Sequence, residues 1–147
     1  MRKQLVSSVV MIGFLLMAGS SLLAAAASGS QILAKIPFSF VVKDKVLPAG
    51  QYTITKIHVE SAPALVFRSA DGKGQIVVQM LTSEANRPSP DTRLVFHRYG
   101  DDYYLSDVRT LGNSTGLRLA TSAGEERLTK VTAQVDRSIV TVAGIGR

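Results

Sequence analysis

From Ile36 onward, turn residues interrupt the chain roughly every 8 to 15 positions, and the runs between them favour Val, Ile, Phe, Tyr and Thr. Segments this short leave no room for crossover helices between strands, which disfavours a parallel α/β sheet. β-branched and aromatic side chains suit a pleated, half-buried surface. The pattern predicts an all-β fold, mainly antiparallel: a sandwich or small barrel of about six to seven strands, with a short C-terminal helix.

The strands can be placed one by one. Residues 36–42 open the series, with Phe38, Phe40 and Val42 on one side of the pleat and Ser39 and Val41 on the other. Lys43-Asp44-Lys45 breaks it. Leu47-Pro48-Ala49-Gly50 suits a type I turn, with proline where φ is already correct, and should launch a strand over 51–59. There Tyr52 and Ile54 share one parity while Ile57 and Val59 take the other, which predicts a bulge near Lys56. Residues 64–69 and 75–82 flank Ala70-Asp71-Gly72-Lys73-Gly74, where Asp-Gly suits a tight hairpin whose central residues both take positive φ.

Pro88 and Pro90 make 84–91 an exposed connection. Residues 93–99 and 103–110 form a second hairpin around Gly100-Asp101-Asp102. With Asp101 and Asp102 as its central pair, His97 faces Ser106 and Val95 faces Val108; a three-residue loop shifts that register by one. After a loop at 112–116 the periodicity is ambiguous. Ser122 followed by Glu125 has the form of a capping box, and Leu128, Val131 and Val135 recur at helical spacing, so a helix is expected over 123–132. The rival is a strand over 128–135. Residues 138–143 supply a closing strand.

The N-terminus has another character. Arg2 and Lys3 precede an apolar run over 5–23, and Ala24 to Ala27 offer two A-x-A sites, so 1–27 is expected to be a secretory signal. Residues 28–147 are then one β-rich domain, secreted or periplasmic. The alternative is an uncleaved membrane anchor, since 9–27 approaches the length of a spanning helix. Membrane contact is expected only in that case.

Cysteine is absent, which excludes disulfides and thiolate metal sites and leaves stability to packing and hydrogen bonds. The formal charge of +6 falls to +4 without Arg2 and Lys3. The basic residues are scattered and interrupted by carboxylates, unlike the concentrated face of a nucleic-acid binder, so no nucleic-acid partner is expected. Attraction to an acidic polymer remains open.

No cofactor motif is present. Two histidines, His58 and His97, lack any H-x-H or H-E-x-x-H spacing, and no metal is expected. Ser106, His97 and Asp107 cannot meet as a triad on regular strands, because neighbouring side chains point to opposite faces unless a bulge intervenes. Asp101-Asp102 lacks the alternating oxygens of a calcium loop, and Gly72-Lys73-Gly74 lacks the helix of a phosphate cradle. Asn113-Ser114-Thr115 matches a glycosylation sequon. Tyr99, Tyr103 and Tyr104 crowd one hairpin end, with His97 and Arg98 beside them. These five residues are the candidate binding patch, for a sugar or a protein, with Arg98 as a charged rim or paired to Asp107. Core packing is the alternative for the rings.

Ile36-Pro37-Phe38-Ser39-Phe40-Val41-Val42, Leu47-Pro48-Ala49-Gly50-Gln51-Tyr52-Thr53-Ile54, Arg68-Ser69-Ala70-Asp71-Gly72 and Leu94-Val95-Phe96-His97-Arg98-Tyr99-Gly100, in this order, resemble a family of small, exported bacterial β-rich proteins. The resemblance implies a secreted β-rich domain followed by a charged, partly helical stretch near 123–130. It carries no activity and no catalytic residue. The expected function is a non-enzymatic binding or interaction module, envelope-associated or extracellular, whose partner is a cell-envelope polymer or a protein. Two alternatives stand beside it: a small hydrolase or isomerase using His97 with a carboxylate from another strand, and a self-assembling structural subunit pairing through an edge strand such as 138–143.

Overall fold

A computed structural model describes residues 30–60, 62–131 and 137–146. The expected signal and Val135 lie outside them. The elements are β1 (Gln31–Ile36), β2 (Phe40–Val42), β3 (Lys45–Leu47), β4 (Gly50–Val59), β5 (Ala62–Ser69), β6 (Gln75–Gln79), β7 (Leu81–Glu84), β8 (Arg93–Tyr99), β9 (Asp102–Arg109), β10 (Thr115–Arg118), α1 (Ala123–Val131) and β11 (Arg137–Gly146). The described residues are all-β with one short helix, which prevails over the rival strand across 128–131, residues 132–135 lying outside them.

The strands form one curled sheet in the order β3-β2-β9-β8-β11-β1-β4-β5-β6, with β10 against β9 and β7 against β10. Pairing is antiparallel except for a single parallel contact, Val41 opposite Tyr104, and an isolated bridge from Ser89 to Leu111. The described residues form eleven strands where about six to seven were expected, because runs read as single strands or loops divide. A strand over 31–36 precedes the expected start, Lys43-Asp44 turns a hairpin between β2 and β3, and part of the expected loop at 112–116 pairs as β10.

Two walls enclose the core. In one, β1, β4, β5 and β6 turn Ile32, Ile36, Tyr52, Ile54, Leu65 and Phe67 inward. Against them the other wall sets Phe40, Val42, Leu94, Phe96, Leu105 and Val108. The Phe40 ring meets Tyr52 and Phe96 edge to face at 5.3 and 5.5 Å, locking the walls by geometry as well as by area. β11 belongs to both walls: Arg137 to Ala143 pair with β8, and Gly144 to Gly146 pair with β1. At the changeover, a Cβ on Gly144 would lie 2.6 Å from Ile32 Cγ2, so the corner needs glycine.

Several expectations change. No bulge interrupts β4, which pairs in register with β5 from Tyr52–Ser69 to Val59–Ala62. Its parity switch arises because the far end runs past the core, leaving Ile57 half-buried and Val59 exposed. In the β5–β6 hairpin, Gly72 N–H donates to Ser69 O at 3.0 Å and only Gly72, at φ 71°, is left-handed, so Asp71 does not share that role. The β8–β9 loop centres on Gly100-Asp101, which sets His97 opposite Tyr104. Residues 138–143 are paired along β8 and are not a sheet edge. The connection after β7 is tied down as well as exposed, since Ser89 is buried and its N–H reaches Asn113 O at 3.0 Å.

Candidate functional site

Alternation along β8 and β9 divides the five expected patch residues between two faces. Phe96 and Leu105 point into the core, so His97, Tyr99 and their neighbour Tyr104 point outward, where α1 covers them. The helix starts as a capping box should: Ser122 Oγ accepts the Glu125 N–H at 3.1 Å. The reciprocal half is redirected. Glu125 Oε1 lies 2.7 Å from His97 Nδ1 and accepts the Tyr99 hydroxyl at 3.1 Å.

Glu125 is 6 % exposed, and its position in the first turn of α1 lets the helix dipole favour its charge. This carboxylate was not among the expected site residues, although the capping-box spacing marked its position. The buried residue of α1 is therefore its glutamate, whereas the expected apolar stripe stays outside, with Leu128 half-buried and Val131 86 % exposed. Tyr104 packs edge to face on Tyr99, with centroids 5.8 Å apart. Burial pushes the Tyr104 hydroxyl above its usual range, and the charges of Asp102 and Glu125 add to the shift.

Tyr103 and Arg98 sit on the opposite side. The Tyr103 ring stacks on Phe38 at 3.9 Å and 14°, with the Arg98 guanidinium carbon 5.5 Å from its centroid. Arg98 Nε donates to Gly100 O at 2.7 Å, so it closes its own turn and does not pair with Asp107. Tyr99, 7 % exposed, offers no ring to a ligand.

A bulge does occur in this hairpin. Val95 pairs with Asp107 and Phe96 with Leu105, which leaves Ser106 as the extra residue. It joins serine to aspartate but not to histidine: Ser106 Oγ donates to Asp107 Oδ2 at 3.0 Å, while His97 turns to Glu125. Asp107 Oδ1 faces Arg109 and Arg118, each at 3.5 Å, too long and misaligned for a hydrogen bond. Among the described residues, no group of three or more His, Asp or Glu is placed to hold a metal ion.

Among the described residues, no helix lies on the outer face of the other wall. β1, β4, β5 and β6 contain no Asp or Glu. Their outward positions present Gln31, Gln51, Thr53, Thr55, Gln75 and Gln79, with Lys35 and Arg68 as cations and Leu33, Ile57 and Val66 as apolar neighbours. Val77 and Ile145 stand 51 % and 68 % exposed among them. At one end a shallow cleft of ≈ 290 Å³ is lined by Leu33, Lys35, Gln51, Thr53, Ala70 and Ile145. The turn carrying Asp71 and Lys73 stands at its rim. Asp71 is held below the usual carboxylate range by the Ser69 hydroxyl, at 2.5 Å, and by the Lys73 N–H.

No protein-family model, curated protein or solved structure matches the chain, so the functional reading rests on its own residues.

Proposed function

We propose that this protein is an exported, non-enzymatic binding module that holds an acidic, hydroxyl-rich polymer of the cell envelope on the bare outer face of β1, β4, β5 and β6. The observation that carries the reading is the make-up of that face: cations, glutamine amides and threonine hydroxyls among apolar side chains, and no carboxylate in any of the four strands. Amides and hydroxyls match the hydrogen-bonding groups of a sugar-like chain, and Lys35 and Arg68 match its charge. Export rests on the N-terminal sequence pattern. The aromatic hairpin end supports the reading less, because Tyr99 is buried and Tyr103 is already stacked.

Co-sedimentation with an acidic polysaccharide such as polygalacturonate, against neutral dextran, tests this. Binding to the acidic polymer should weaken as salt rises and fall about tenfold in a Lys35→Glu, Arg68→Glu double variant. Equal binding to dextran, or an unaffected double variant, overturns it.

One observation favours a second reading, a small hydrolase or isomerase using His97: the histidine does find a carboxylate, Glu125, although from a helix and not a strand. An activity that survives His97→Ala removes that reading.

A further inference from the structure

The strand order ends at β6, whose outer side has no strand partner among the described residues. The other short border strands carry charge, Lys45 in β3 and Glu84 in β7, which discourages pairing with a foreign strand. β6 reads Gln-Ile-Val-Val-Gln, with no charge, no proline and no register shift against β5. Such an edge is a template for another strand.

Its backbone can be resolved residue by residue. Ser69 N–H donates to Gly74 O at 2.9 Å, and Met80 N–H donates to Pro63 O at 2.8 Å. Because hydrogen-bonded pairs alternate along an antiparallel ladder, Gly74, Ile76, Val78 and Met80 turn their backbone groups toward β5. Gln75, Val77 and Gln79 turn theirs to the open side.

The strand is also nearly palindromic about Val77. We propose that β6 is a two-fold pairing edge, through which two copies of this chain join into one continuous sheet with Val77 opposite the partner's Val77. In that register Gln75 meets the partner's Gln79, and Ile76 meets the partner's Val78. Every outward N–H and C=O of β6 finds a mate, and each amide or apolar side chain lies beside one of its own kind. A closed two-fold contact requires such self-complementarity, and it uses up the edge instead of leaving it to propagate. The bare faces of the two copies would become one continuous surface, so a polymer held on one could extend onto the other. The pairing itself does not depend on polymer binding.

A two-fold axis makes residue 77 meet itself, which supplies a decisive experiment. Sedimentation equilibrium of the purified protein over a wide concentration range should show monomer and dimer. Val77→Lys and Val77→Glu, each placing like charges directly opposite, should each weaken association about tenfold or more. Mixing the two variants should restore it, because lysine then faces glutamate. Val77 is exposed, and unchanged thermal melts will show that both variants fold. A parent that is monomeric throughout, variants that associate as the parent does, or a mixture no stronger than its components overturns the proposal. Lys35→Glu, Arg68→Glu protein should still dimerise, so failure of the polymer reading is distinguishable from failure of this one.

Discussion

The two walls bury similar apolar inner faces but differ in what covers their outsides. On β8 and β9 the outer face carries His97, Tyr99 and Tyr104, and α1 lies over them through Glu125. On β1, β4, β5 and β6 the outer face mixes amides, hydroxyls and two cations with apolar side chains, and no helix among the described residues covers it. The difference shows that concentrated chemistry need not mark a working surface. The cluster of His97, Tyr99, Tyr104 and Glu125 is occupied in docking a helix, whereas the plain face is the one that the proposed function uses.

The sharpest way to break this contrast is to remove the docking carboxylate. Glu125→Ala removes the partner of His97 Nδ1 and the acceptor of the buried Tyr99 hydroxyl, and should cost about 2–4 kcal/mol. Chemical denaturation followed by circular dichroism checks it. A loss below about 0.5 kcal/mol would mean that the cluster does not hold α1 and is free for another role.

A smaller effect belongs to the cap. Ser122→Ala removes the acceptor for the Glu125 N–H and should cost about 1 kcal/mol, appearing as a loss of helical signal. Should it match Glu125→Ala, the cap and not the carboxylate would be what docks the helix.

The smallest effect is alkaline and touches both walls. Tyr104 lies under α1 and Tyr52 lies beneath the bare wall, where its hydroxyl donates to Pro48 O at 2.7 Å. Burial raises both above their usual value, helped at Tyr52 by the charge of Asp71. A raised folded-state pKa leaves stability intact below the unfolded value of about 10 and removes it as pH climbs beyond. Melts repeated from pH 9 to 11 should therefore fall in the parent and fall less in Tyr104→Phe, whose share comes from the covered wall.

Much of the fold was legible because local chemistry and tertiary structure agree. Asp71-Gly72 turns a hairpin, Ser122 caps a helix, and the Val, Ile and Phe runs pair as strands. Register was harder. Gly100 at φ 62° moves the β8–β9 loop by one residue, which sets His97 opposite Tyr104 instead of Ser106, and the Ser106 bulge shifts the pairing again at Val95. The candidate site was legible as a neighbourhood but not as a set. Alternation places Tyr103 and Arg98 away from His97, Tyr99 and Tyr104. The decisive Glu125 arrives from 28 residues away in sequence, and no local pattern reports such a contact. The bare face was illegible for a different reason: it is defined by what four separate strands lack.

β11 is the last strand in chain order and the one that stitches both walls together. A nascent chain therefore holds two unjoined sets of hairpins until β11 arrives. The two walls therefore become one body late, after every other described strand has been made.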